Sequence, residues 1–228
     1  SYELMIKYIS LAEKELKQKS KLIRVKKYQE KKITASLVAN LIRQQISIKS
    51  NAQIDRKVVY FHKPTFLDEF FSHPKLKQFT THGPVTPDHV IRIKSKPLII
   101  DLGMEKPSKV ESKIIKAIQK YQDDYQKYFK RNHKYNLKAS MLDPYPRLIV
   151  VKGLGMFSTG PSFKDAKIAM DVGLNSLSVI LEASKFGEFR SIPEKEIFKM
   201  EYWPLELAKI KPSTQKLKGH ITVITGGL

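Results

Sequence analysis

Residues 147–160 read RLIVVKGLGMFSTG, and this stretch limits the fold more than any other. Leu148, Ile149, Val150 and Val151 form an unbroken apolar run of strand length between Arg147 and Lys152. A half-exposed strand alternates apolar with polar side chains, so a continuous run implies burial on both faces. Such a strand needs cover on two sides, and in α/β proteins helices provide it. One helix follows at once. Ser162 precedes Asp165 by three residues and caps a helix with Ile168, Val172, Val179 and Ala183 among its apolar positions, ending near Gly187.

The rest of the chain supplies the other elements. Residues 1–19 predict an amphipathic helix, with Met5, Ile9, Ala12 and Leu16 at helical spacing. Thr34 to Ile46 is a second helix with Leu37, Leu41 and Ile42 as its stripe. Lys57 to Phe61 and Pro97 to Asp101 read as strands, and Pro64 opens a short helix that His73-Pro74 ends. Ser108 and Glu111 form a capping box before a helix bearing Val110, Ile114, Ile118, Tyr121, Tyr125 and Phe129. Ser191-Ile192-Pro193-Glu194 resembles another box, and Pro212-Ser213-Thr214 a linker. Ile221 to Ile224 alternates into a closing strand that runs into Thr225-Gly226-Gly227. Helices and strands alternate, so the expected class is α/β, a three-layer α/β/α arrangement with a mixed sheet.

Composition narrows the chemistry. There is no cysteine, hence no disulfide, thiolate ligand or cysteine nucleophile, and a cytoplasmic location fits. No run of about 18 apolar residues offers a membrane span. The net charge of +20 points towards polyanions. The excess is mostly lysine, however, and specific nucleic-acid readers lean on arginine. The basic stretch Lys14 to Lys32 therefore reads first as a solvated face, with a nucleic-acid-binding module as an alternative.

Two segments could carry a site. Thr81 to Ser95 gathers His82, Asp88, His89, Arg92 and Lys94 between Pro84 and Pro87. Two imidazoles and a carboxylate suit a divalent metal, and Arg92 with Lys94 suits a phosphate, but the spacing of the two histidines is no standard metal motif. A rigid loop tying down its own backbone is the expected role, with anion binding or docking left open. The second segment is Gly153 to Gly160. It matches neither a P-loop nor G-x-G-x-x-G, and reads as a tight strand-to-helix connection filled by Met156 and Phe157. Gly153 and Gly155 join the loop residues as candidates for an anion or substrate pocket. Glu201-Tyr202-Trp203 reads as core or interface, and Asp123-Asp124 as a solvated face. No catalytic set is visible.

The ordered series THGPVTPDHVIRIKSKPL, MLDPYPRLIVVKGLGMFSTG, IPEKEIFKMEYWPLELAKI and LKGHITVITGG resembles the bifunctional class II aldolase/short-chain dehydrogenase family, of the rhamnulose-1-phosphate aldolase/alcohol dehydrogenase type. The resemblance implies a class II aldolase/adducin-like fold and a fragment of a longer parent. Residues 1–20 would be the last helix of an aldolase domain, 21–212 a central aldolase-like domain, and 213–228 a linker and the first strand of a Rossmann dehydrogenase. The parent would use a sugar phosphate, NAD(P) and a divalent metal such as zinc, and could be a homo-oligomer. Thr225 and Gly226 would touch the cofactor only in that complete parent. In a class II aldolase domain a strand leads into an asparagine-His-Gly turn whose histidine binds metal, and then a long helix follows. Gly153-Leu154-Gly155 stands in that place, so Leu154 replaces the ligand. The expected role is a non-catalytic linking domain, without metal or cofactor of its own. The alternative is a metal-dependent lyase with His82 and His89 as ligands.

Overall fold

The computed structural model describes residues 1–28, 33–50, 53–76, 81, 83–103, 107–210, 219–220 and 222–226. In chain order its elements are α1 (Tyr2–Lys19), α2 (Ala35–Ile46), β1 (Ile48–Ser50), β2 (Gln53–Asp55), β3 (Val58–His62), α3 (Leu67–Ser72), α4 (Val90–Ile93), β4 (Leu98–Ile100), α5 (Pro107–Asn132), β5 (Leu148–Val151), β6 (Gly155–Gly160), α6 (Phe163–Ser184), α7 (Glu194–Glu201) and α8 (Pro204–Ala208). A 3-10 turn at Pro87–His89 runs into α4.

The apolar run forms β5, buried along its whole length. It lies inside a four-stranded mixed sheet ordered β3-β6-β5-β4, with β4 and β5 parallel and the other pairs antiparallel. The long crossover that a parallel pair requires is α5. Alternation along β5 and β6 then divides the core. Ile149, Val151 and Phe157 point to one face, where they pack with Val38, Leu41 and Ile42 of α2 and Val110, Ile114 and Ile118 of α5. Leu148, Val150 and Met156 point to the other, against Leu67 and Phe70 of α3 and Met170, Leu177 and Ile180 of α6.

Gly155–Gly160 corrects the sequence reading. It is not a connection but a strand, fully buried and paired with β5 on one side and β3 on the other. Its glycines mark close approach. A Cβ on Gly155 would sit 2.3 Å from a ring carbon of Phe61, and one on Gly160 2.5 Å from the backbone nitrogen of Ala166. The turn that reverses the chain is Lys152 to Leu154, with Gly153 at φ 73°.

Of the three helix starts at which the sequence suggests a cap, one forms as expected, at Ser162, and α2 is capped by Thr34, which the sequence reading did not single out as a cap. The Thr34 hydroxyl accepts from the Leu37 N–H at 3.3 Å, and the Ser162 hydroxyl from the Asp165 N–H at 3.1 Å. The other two boxes do not form. α5 already begins at Pro107, which places Ser108 inside the helix. Pro193 takes the cap position of α7, and the Ser191 hydroxyl instead donates to the carbonyl of Pro84 at 3.2 Å.

Helix faces also differ. α2 buries Val38 and Ile46 with Leu41 and Ile42, while Leu37 faces out. α6 buries a face rich in small residues, including Ala166, Ala169, Gly173, Ser176 and Ser184, and leaves Val179 exposed. The reason is the sheet beneath: a Cβ on Gly173 would sit 2.7 Å from Leu148. α1 forms as expected but has no buried residue. Of the expected closing strand, Ile221 lies outside the described residues; Thr222–Thr225 are irregular, and Val223 and Ile224 are exposed. The turn before them is held by Arg43, which donates to the carbonyls of Lys57 and Gly219, both at 2.8 Å.

Candidate functional site

The residues of the Thr81–Ser95 loop do not converge. His82 lies outside the described residues. Asp88 is exposed. His89 turns to α6, with its Nδ1 3.4 Å from the Ser176 hydroxyl. Arg92 reaches the start of α6 and the end of α8: Nη1 lies 3.7 Å from Asp165, and Nη2 donates to the Lys209 carbonyl at 3.3 Å. Lys94 goes a third way, into the interior. Gly153 lines a separate cavity of about 250 Å³ with Tyr28, Lys63 and Asp68. One peptide segment thus serves three contacts, because the 3-10 turn and α4 rotate successive side chains around a short helical axis.

Lys94 is the least expected of these. It is 3% exposed and is the sole described non-glycine residue with positive φ, at 63°. Its Nζ lies 3.5 Å from Oε1 of Glu201, which is itself fully buried, and 3.9 Å from the centre of the Tyr125 ring. Tyr125 donates to the same Glu201 oxygen at 2.8 Å and lies 2.7 Å from the Tyr202 hydroxyl, which accepts from the Leu142 N–H at 3.3 Å. Burial pulls the Lys94 ammonium down to about 8, against the opposing pull of Glu201. Burial, then Glu201, push the Tyr125 phenol well above its usual range. Nearby, Arg147 binds Asp143 at 2.5 Å. Burial favours the neutral Asp143 carboxyl, but Arg147 and Lys94 outweigh it and hold its pKa low. Lys94 and Glu201 are far apart in sequence, so no local motif links them. The one sequence signal was a carboxylate directly before an aromatic pair.

A cavity of about 740 Å³ opens at the N-terminus of α6. Arg92, Arg147, Lys164 and Lys209 line it with Thr159, Ser162 and Asp165. Three of the four cations already meet a carboxylate, Arg92 with Asp165 at 3.7 Å, Arg147 with Asp143 at 2.5 Å and Lys209 with Glu206 at 2.5 Å, so the charge beside the first turn of this 22-residue helix is largely compensated. Arg92 is the one residue of the sequence-derived pocket found here. Lys164 and Lys209 were not singled out, because isolated lysines in a lysine-rich chain carry no signal.

The turn at Gly153-Leu154-Gly155 bears on the metal. Leu154 packs against the apolar cluster that α2 and α5 share with the sheet. A leucine there offers no lone pair to a cation. Among the described residues no three His, Asp or Glu side chains gather into a metal-holding group. These residues do not form a zinc-type donor set. Thr225 and Gly226, the residues of the dinucleotide reading, are exposed in an irregular segment. No helix of the described residues is long and apolar enough to cross a membrane.

A mixed sheet with helices packed on it, and a hairpin turn leading through β6 into the long α6, define an α/β domain. Residues 33–210 match the family model described as aldolase class II, second domain, and the chain belongs to that family. It is 31% identical over 163 residues to a protein named uncharacterized oxidoreductase YuxG from Bacillus subtilis (strain 168). That match covers 70% of this chain but 23% of the relative, so the chain spans less than a quarter of the relative's length. No solved structure matches the chain.

Proposed function

We propose that this is an aldolase-like domain of three-layer α/β/α, adducin-like architecture that has lost catalytic metal binding. It joins and orients two enzymatic domains of a bifunctional sugar-phosphate aldolase/short-chain dehydrogenase. The observation that carries this reading is Leu154: at the hairpin turn where an aldolase would present a histidine stands a half-buried leucine that packs against the apolar core. The relative's name, an oxidoreductase, and its much greater length favour a parent with further domains. In that parent, NAD(P) and zinc belong to the flanking domains, and residues 1–20 contact the aldolase domain through the unburied face of α1. A cytoplasmic setting fits the absence of cysteine.

Elemental analysis of the purified, dialysed chain beside a metal-free refolded control tests the reading. The expected result is metal far below stoichiometric amounts. About one zinc or manganese per chain, lost in a His82→Ala/His89→Ala double variant, would overturn it in favour of a metal-dependent lyase.

A further inference from the structure

The segment Glu201-Tyr202-Trp203, which the sequence left as core or interface, is divided by the fold. Glu201 and Tyr202 are buried, while Trp203, the chain's only tryptophan, is 45% exposed at the start of α8. Leu205 beside it is 64% exposed. A second apolar group meets them. The Asn136 side chain donates to the Tyr202 carbonyl at 3.1 Å, and the Tyr202 hydroxyl accepts from the Leu142 N–H at 3.3 Å. Along and just before the stretch between those two anchors, Tyr135, Leu137 and Met141 are exposed. Single exposed apolar side chains are ordinary, but five brought together from two parts of the chain, a tryptophan among them, mark a contact surface.

The surroundings of this patch are positive. Lys130, Lys134 and Lys138 are exposed on and after the last turns of α5, and Lys134 lies 5.2 Å from the centre of the Tyr135 ring. The carboxylates of α7 and α8 are paired or buried: Arg131 holds Glu194 at 2.6 Å, Lys199 holds Glu196 at 3.1 Å, and Glu201 and Glu206 are buried. Two copies of such a surface would repel each other, so the partner that fits it carries carboxylates around an apolar centre. Position narrows the partner further. β3 begins at Val58 opposite Gly160, the last residue of β6, and β5 begins at Leu148 opposite Ser158. Both strands therefore start at one end of the sheet. Arg43 and Arg56 hold Gly219 and His220 beside the residues that lead into β3, and Met141 and Leu142 stand a few residues before β5. The closing segment of the chain and the apolar patch thus share that end.

We propose, on the reading above that a dehydrogenase domain follows in the parent, that this patch seats that domain through an apolar surface rimmed with carboxylates. Trp203 and Leu137 anchor the centre, and Lys130, Lys134 and Lys138 meet the acids at the edge. The aldolase domain takes α1 and the dehydrogenase domain takes the patch, so the domain between them sets their relative orientation.

Hydroxyl-radical footprinting of the complete parent beside the present chain tests it, with oxidation read residue by residue by mass spectrometry. Trp203 and Met141 are expected to be oxidised about threefold less in the parent, and to return to the level of the present chain when the parent is truncated after residue 228. Tyr2 and Tyr8, exposed on α1, report the other contact separately. Their protection without that of Trp203 and Met141 would overturn this proposal and leave the linking role standing. A parent with no dehydrogenase domain would overturn both. Protection that survives the truncation would give the patch to the aldolase domain, and protection that grows with the concentration of the present chain would give it to a second copy; either result sinks the proposal. Leu137→Glu/Leu205→Glu in the parent should restore the oxidation of Trp203 and Met141. The same pair in the present chain should move its thermal midpoint by no more than about two degrees, because both side chains are exposed. Protection in the parent unmoved by that pair would also overturn it.

Discussion

Lys94, His73 and Gly155 each hold a position that their residue type alone would not suggest. Lys94 and Glu201 form a buried pair, and removing one partner leaves the other charged and unpaired. Lys94→Met is expected to destabilise the domain by about 3–5 kcal/mol, while Lys94→Met/Glu201→Leu recovers most of that loss. Urea unfolding of both variants and of Glu201→Leu closes the cycle; equal costs for the single and double changes would sink the pairing. His73 is buried, accepts from the Lys75 N–H on Nδ1, and has Nε2 3.0 Å from the Ser184 hydroxyl. That hydroxyl donates to the Leu181 carbonyl, so Nε2 carries the proton and the ring is neutral. Burial, then Lys75, lower the His73 pKa from 6.5, so the unfolded chain takes the proton first. The stability it contributes is present above pH 6.5 and lost as pH falls below it. His73→Gln should flatten the acid limb of the thermal midpoint below that point. At Gly155 the Phe61 ring occupies the space of a side chain. Gly155→Ala is expected to cost about 1–3 kcal/mol, with Phe61→Leu in the same chain restoring part of it.

Among the elements, α1 stands apart. It is a complete helix with Tyr2, Leu4, Met5, Ile6, Tyr8, Ile9, Leu11 and Leu16 exposed and none buried. An isolated helix of this length is marginal in water, so its apolar side awaits cover. Deleting residues 1–19 is therefore expected to shift the unfolding midpoint of the remaining domain by no more than a degree or two, while removing helical signal in circular dichroism. A large loss of midpoint would mean that α1 packs on this domain in solution. α5 and α6 behave oppositely. They carry the two faces of the sheet, and their buried sides were legible in different degrees. On α5 the large residues Val110, Ile114 and Ile118 are the buried ones, as periodicity predicts. On α6 small residues share the buried face with Met170, Leu177, Ile180 and Leu181: Ala166, Ala169, Gly173 and Ser176 go in, at Gly173 because Leu148 comes close, and Val179 stays out. Periodicity tracks size and polarity, and it fails where close approach selects small residues. The β1–β2 hairpin was missed for a related reason: its strands have three residues each, too few to show alternation.

At the scale of the whole molecule, the positive charge is distributed rather than pooled. Lys120, Lys152, Lys185 and Arg190 each meet a carboxylate at 2.9 Å or less. The concavity at the start of α6 is where Arg92, Arg147, Lys164 and Lys209 come together, from four separate places in the chain. If the domain orients its neighbours through α1, then Met5→Glu/Ile9→Glu in the complete parent should raise protease cleavage between residues 20 and 33, and leave the unfolding of residues 33–210 unchanged.

The sequence by itself determined the class and the centre of the fold. The run Leu148 to Val151 required a doubly covered strand, and the Ser162 cap fixed the start of α6, because such signals act over a few neighbouring residues. It also carried the resemblance that the family match bears out at the level of a class II aldolase domain. The tertiary structure alone decided that Gly155–Gly160 is a strand, since only the paired β3 and β5 give its glycines a reason. It alone joined Lys94 to Glu201 and Arg92 to Lys209, and turned Lys94 and His89, five residues apart in one segment, to different partners. Electrostatic and packing partners of this kind are set by where elements meet in space, and distance along the chain holds no record of that meeting.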